Sequence, residues 1–153
     1  MQLKSKTRTK VFDASARRVG IAIAKFNGRI TEAMLKNALR TLKSFKVKAG
    51  NIKVVRVPGS MELTFALQTL ARSERYDALV ALGCVIRGET PHFDYVCKMA
   101  QEGVLRVSLE HNIPIGFGVL TVNDLAQAKA RIHLGGEACV AALELARLAS
   151  ESE

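Results

Sequence analysis

An α/β domain, with a parallel sheet covered by helices on both faces, is the fold class this sequence predicts. Short apolar runs rich in Ile and Val alternate along the chain with segments of helical period. That alternation places crossover helices between parallel strands. The 153 residues are 48% apolar and 24% charged, which suits one packed core and one domain. No repeat, low-complexity linker or shift of composition interrupts residues 18–150, so they read as a single domain behind a basic arm at 1–17.

The elements follow in order. "RVGIAIAKF" (18–26) predicts a buried strand that breaks at Asn27-Gly28. From Thr31 the apolar positions Ala33, Met34, Ala38, Leu42 and Phe45 recur at helical steps, with Thr31 as the expected N-cap and Glu32 favourable to the dipole. "IKVVRV" (52–57) predicts a second strand, stopped by Pro58-Gly59, and "SMELTFALQTLARS" (60–73) a helix capped by Ser60. "DALVALG" (77–83) is the third strand. A polar loop follows it, and a long helical pattern then runs from Pro91 to about Asn112. "IPIGFGVLT" (113–121) is the fourth strand, with Pro114 near its start, where a missing N–H is tolerated. Two helical stretches, 123–132 and 136–150, complete the chain.

Several function classes lose support from composition. No apolar run approaches the roughly 20 residues that span a bilayer, and the N-terminus lacks the apolar stretch of a secretory signal. Cys84, Cys97 and Cys139 are scattered without a CxxC pair or a His at ligand spacing. That excludes a disulfide framework or zinc-finger pattern and fits a reducing cytosol. The net charge is +9, of which residues 1–18 supply +5 from six basic groups and one acid. Only one aromatic residue, Phe12, lies among those charges, so a solvated tail is preferred over nucleic-acid binding.

Ligands of open parallel sheets sit beyond the carboxyl ends of the strands. The rule selects Phe26-Asn27, Pro58 to Glu62, Gly83 to His92 and Phe117 to Thr121. At the third place Gly83 and Gly88 bracket "CVIR", and Thr90-Pro91 begins a helix with hydroxyl at N-cap and Pro at N1. Free N–H groups of Glu89, Thr90 and the first turn suit an anion such as phosphate. His92 in that turn is suited to proton transfer near neutral pH. Read alone, each of these features is also an ordinary helix cap. "GFG" at 116–118 lies within a strand and opens no helix, so it is no dinucleotide fingerprint.

Taken together, "VPGSMEL" (57–63), "ALGCVIRGETPHFDYV" (81–96), "IPIGFGVLTV" (113–122), "FN" (26–27) and the terminal "EA…AALELA" closely resemble the lumazine synthase family. The resemblance covers about residues 18–148. It implies a flavodoxin-like three-layer sandwich with a four-stranded parallel sheet, assembled into pentamers with sites at subunit interfaces. It implies the penultimate step of riboflavin biosynthesis, in which 5-amino-6-ribitylaminouracil condenses with 3,4-dihydroxy-2-butanone 4-phosphate, releasing phosphate and water. No metal or organic cofactor is implied, and the partners are these small molecules and further copies of the chain.

Carried onto this sequence, the resemblance has Phe26 stack on the pyrimidine beside Asn27, and Cys84, Val85 and Ile86 meet its polar edge through backbone groups. Ser60, Met61 and Glu62 hold the ribityl chain. Glu89 and Thr90 grip the phosphate, and His92 moves protons. Phe117 and Arg131 cross a subunit interface, Arg131 to the phosphate. The segment "RIHLGGEA" is shorter than its family counterpart and lacks a Lys expected there, for which His133 or Lys129 is a candidate substitute. Met61 stands where relatives often carry an aromatic residue. The short segment gives weight to one alternative, a ligand-binding or shell-forming homologue that has lost turnover.

Overall fold

The computed structural model describes residues 8–152, so Lys4 and Lys6 of the basic arm lie outside the described residues. Strand β1 (Val19–Ala24), helix α1 (Gly28–Ser44), β2 (Ile52–Val57), α2 (Leu63–Arg72) and β3 (Ala78–Ile86) come first. Helix α3 (His92–Glu110), β4 (Ile115–Val122), α4 (Leu125–Lys129) and α5 (Leu134–Glu151) complete the order. All four strands pair in parallel in the order β2-β1-β3-β4.

The layers follow from handedness. The chain steps one way from β1 to β2, then the other way across β1 to β3 and on to β4. Right-handed crossovers therefore put α1 on one face and α2 and α3 on the other. The cores agree: Met34 and Leu42 of α1 and Cys139 and Leu143 of α5 pack with Ile21, Ile23, Val80 and Leu82. Leu63 and Leu67 of α2 and Val104 and Val107 of α3 pack with Ala22, Leu79 and Ala81. Odd and even residues of β1 thus serve opposite cores, and all six of its residues are buried. This is the three-layer, flavodoxin-like sandwich that the resemblance implied. Among the described residues no helix is long and apolar enough to cross a membrane.

Long-range contacts move several boundaries away from the local reading. Helix α1 begins at Gly28, three residues early, because Asn27 adopts φ 55° and offers its carbonyl to the N–H groups of Ile30 and Thr31. Thr31 is therefore no N-cap; it is fully buried inside the helix. Ser60 is no cap either, since it opens a single 3-10 turn, Ser60–Glu62, that precedes α2. Strand β3 continues through Cys84, Val85 and Ile86, which pair with Leu120, Thr121 and Val122 of β4. The stretch that reads as a glycine-bracketed loop is thus mostly strand. Phe117 pairs with Ala81 in mid-sheet, so it does not stand at a carboxyl end.

Ahead of β1 the chain is pinned, and the expectation of a solvated tail fails from Phe12 onward. Phe12 meets Phe45 edge-on with ring centroids 5.1 Å apart, and the Arg147 guanidinium lies 4.9 Å from the Phe12 centroid. Ala14 is buried and donates its N–H to the Phe45 carbonyl at 2.9 Å. At the far edge, a Cβ on Gly116 would sit 2.0 Å from the Ala138 carbonyl oxygen, so α5 rests its backbone directly on β4. Phe117, one residue on, faces the other way and is exposed. Close helix packing thus accounts for the glycine of "GFG".

Candidate active site

Strands β1 and β3 are neighbours whose following helices lie on opposite faces of the sheet, which leaves a crevice between their carboxyl ends. A cavity of about 440 Å³ opens there, a volume suited to a small organic ligand. Its walls come from Phe26 after β1, Pro58 to Glu62 after β2, Cys84 to Ile86 and Gly88 on β3, and Thr90, His92, Phe93 and Val96 at the start of α3. Larger grooves lie along the outer faces of the helices, one of them between β2 and α2 and sharing Pro58, Met61 and Glu62 with the cavity. The one between α2 and α3 shares only Met61 with the cavity and is flanked by the ion pairs Lys98–Glu102 and Arg106–Glu110.

The strand exits are tied to each other before any ligand arrives. The N–H groups of Lys25 and Phe26 donate to the carbonyls of Val57 and Pro58 at 2.8 and 3.0 Å. Asn27 donates its side-chain Nδ2 to the Cys84 carbonyl at 2.8 Å, joining the end of β1 to β3. Phe26 itself is 71% exposed, so its ring stands free at the cavity mouth, available for stacking on a planar ligand. Ser60 is buried because Gly83 makes room: a Cβ at Gly83 would lie 2.6 Å from the Ser60 hydroxyl.

Cys84 is buried against the cavity floor, and loss of solvent pushes its thiol up to about 11. It is therefore a neutral thiol at ordinary pH and no nucleophile. Arg87 ends the strand by donating its N–H to the Val122 carbonyl at 2.9 Å.

Helix α3 starts at His92, with Pro91 at the N-cap, one position later than expected. The His92 N–H reaches the Thr90 hydroxyl oxygen at 3.4 Å, and the Asp94 N–H bonds the Pro91 carbonyl at 2.9 Å. The N–H groups of Glu89 and Thr90 take part in none of the hydrogen bonds formed among the described residues. They flank a helix N-terminus, where the backbone favours negative charge. His92 is exposed at the same corner of the cavity.

Nine of the expected site residues thus line one cavity: Phe26, Ser60, Met61, Glu62, Cys84, Val85, Ile86, Thr90 and His92. Asn27 and Glu89 adjoin it through the chain. Phe117 and Arg131 lie elsewhere; the Arg131 Nη1 donates to the Gln127 carbonyl in its own helix turn at 3.0 Å. Neither Lys129 nor His133 reaches the cavity, and His133 Nε2 sits 3.9 Å from the Glu137 carboxylate. Phe93 and Val96 are wall residues that motif reading missed. Their spacing of three, continued to Ala100, marks an inward helix face and could have revealed them.

The comparisons with known proteins converge. Residues 16–150 match the family model described as 6,7-dimethyl-8-ribityllumazine synthase. A protein of that name from Parabacteroides distasonis is 44% identical over 138 residues, covering 87% of this chain and 86% of the relative. Its namesake from Porphyromonas gingivalis is 44% identical over 136 residues, covering 86% of this chain and 84% of the relative. With the fold and the strand-end cavity in agreement, the chain belongs to the 6,7-dimethyl-8-ribityllumazine synthase family.

Proposed function

We infer that this family member is the transferase that condenses 5-amino-6-ribitylaminouracil with 3,4-dihydroxy-2-butanone 4-phosphate, and that the strand-end cavity is its active site. The pyrimidine amine attacks the ketone and loses water to form an imine. Elimination of phosphate follows, and ring closure with a second loss of water gives the lumazine. Holding two substrates in contact replaces a bimolecular encounter, which supplies much of the acceleration.

The roles are those the family resemblance implies. Phe26 stacks on the pyrimidine, with Asn27 fixing the strand exit beneath it. Backbone groups of Cys84, Val85 and Ile86 meet its polar edge. Ser60, Met61 and Glu62 hold the ribityl chain, the Glu62 carboxylate accepting from its hydroxyls. Glu89 and Thr90 receive the phosphate on backbone N–H groups, and His92 moves protons beside it. Phe117 and Arg131 complete the cavity of an adjacent subunit in a pentamer. The three free thiols suit a cytoplasmic setting.

What supports this reading most is that residues from three separate strand ends, Phe26, Ser60 to Glu62, and Cys84 to His92, meet at one cavity. Mixing both substrates with the protein should produce the lumazine absorbance faster than the uncatalysed reaction. His92→Ala should slow that turnover on the order of a hundredfold while pyrimidine binding persists. Protein that binds the pyrimidine without accelerating the absorbance gain would establish a binder in place of an enzyme.

A further inference from the structure

We propose that Arg87 is a positioning residue for this reaction, clamping the first turn of α3, and His92 with it, to the end of β4. Arg87 is the last residue paired to β4 before the chain turns toward α3, through its N–H bond to Val122. Its side chain makes three further contacts. The guanidinium carbon lies 4.4 Å from the centroid of the Phe93 ring, which is a cavity wall. Its Nη1 stands 3.7 Å from the Asp94 carboxylate. Its Nε donates to the Asn123 side-chain oxygen at 3.2 Å, just past β4. Phe93 and Asp94 directly follow His92, so one planar group reaches both residues beyond it and anchors them to a strand end.

These contacts contribute little to stability, because Arg87 and Asp94 are about half exposed, at 49% and 65% of side-chain area. Their consequence is geometric. The loop between β3 and α3 holds Gly88 and no regular structure, so apart from the clamp only the packing of Phe93 and Val96 against the core fixes the angle of the first turn. Arg87 also neutralises Asp94, whose charge at the helix N-terminus would otherwise oppose an incoming phosphate. Only an arginine offers a flat face for Phe93 together with an in-plane fork for Asn123 and Asp94.

The inference rests on His92 being the proton-transfer residue, and a double-mutant cycle separates the two claims. Steady-state kinetics of the wild type, Arg87→Ala, His92→Ala and the double variant should show kcat falling on the order of tenfold in Arg87→Ala, as for a small misplacement of a reacting group. The Michaelis constant for the pyrimidine should stay within about twofold. In the His92→Ala background the Arg87→Ala loss should vanish. A costly His92→Ala with an undiminished Arg87 effect overturns the clamp alone, and so does an Arg87→Ala with wild-type kcat. A silent His92→Ala removes the proton-transfer reading and the clamp with it. Arg87→Lys keeps the charge but neither the stack nor the fork, so wild-type kcat there also overturns the clamp. Asn123→Ala cuts the same tie from the β4 side without touching the cavity, and should show a smaller loss with the same dependence on His92.

Discussion

At the scale of single residues, Asn27 shows how one side chain joins local geometry to the site. Its backbone sits in the left-handed region at φ 55°, and its amide bridges to the Cys84 carbonyl. An Ala there carries the left-handed cost of roughly 1–2 kcal/mol and loses a hydrogen bond worth about 1 kcal/mol. Asn27→Ala should therefore lower the melting midpoint by roughly 5–10 °C in a domain of this size. Asn27→Gly relieves the backbone cost and loses only the bond, so its midpoint should fall less. Equal midpoints in a thermal scan of the two variants would show that the backbone conformation contributes nothing. The Asn-Gly step is visible in sequence as a strand stop. The bridge is not, because its acceptor lies 57 residues away, and that same distance made Thr31 look like the cap. His92 and Thr90 were readable as a helix start, whereas the Arg87 contacts with Phe93 and Asn123 depend on how β3 and β4 end side by side.

Among elements, the pairing of β4 with both β3 and α5 governs more than its own length suggests. It lengthens β3 through Ile86, which carries Cys84, Val85 and Ile86 into the sheet and gives their backbone a fixed position. Period and punctuation placed every strand and every long helix, since β1 and β3 are apolar on both faces and β2 and β4 are mostly apolar runs between turn signals. They missed the length of β3 because strand ends are set by the partner strand. They also missed the close seat of α5, because a glycine in a strand does not say which backbone approaches it. That seat is testable. A Cβ at Gly116 meets a backbone carbonyl, which cannot rotate aside, so α5 must shift as a unit. Gly116→Ala should destabilise the fold by about 3 kcal/mol, the upper range for overpacking, read as a lower denaturant midpoint at unchanged slope. A midpoint equal to that of the wild type would mean that α5 is not held against β4 as described.

At the scale of the whole molecule, two of the expected site residues stand away from the cavity. Phe117 lies 45% exposed on a mid-sheet position, and Arg131 is exposed on the turn before α5; neither reaches the cavity of its own chain. Apolar side chains of α2 and α3 are also left uncovered, Phe65, Tyr95 and Leu109 each at 70% or more. Spacing alone did not set Phe117 and Arg131 apart from the residues of the cavity; only the family resemblance implied that they cross an interface. If Arg131 completes the next subunit's cavity, a ring in which every chain carries His92→Ala fails, and so does a ring in which every chain carries Arg131→Ala. A ring mixed from the two variants differs. Wherever an Arg131→Ala chain supplies the cavity and a His92→Ala chain supplies the neighbouring arginine, both groups are intact. With equal amounts and random head-to-tail assembly, about one interface in four has that arrangement. Denaturing the two variants together and refolding them should restore about a quarter of wild-type turnover, at a mass by light scattering near five times the 16.7 kDa chain. Activity no higher than the mean of the separate variants, at that same mass, would place Arg131 and His92 in one subunit's site or remove Arg131 from the site altogether.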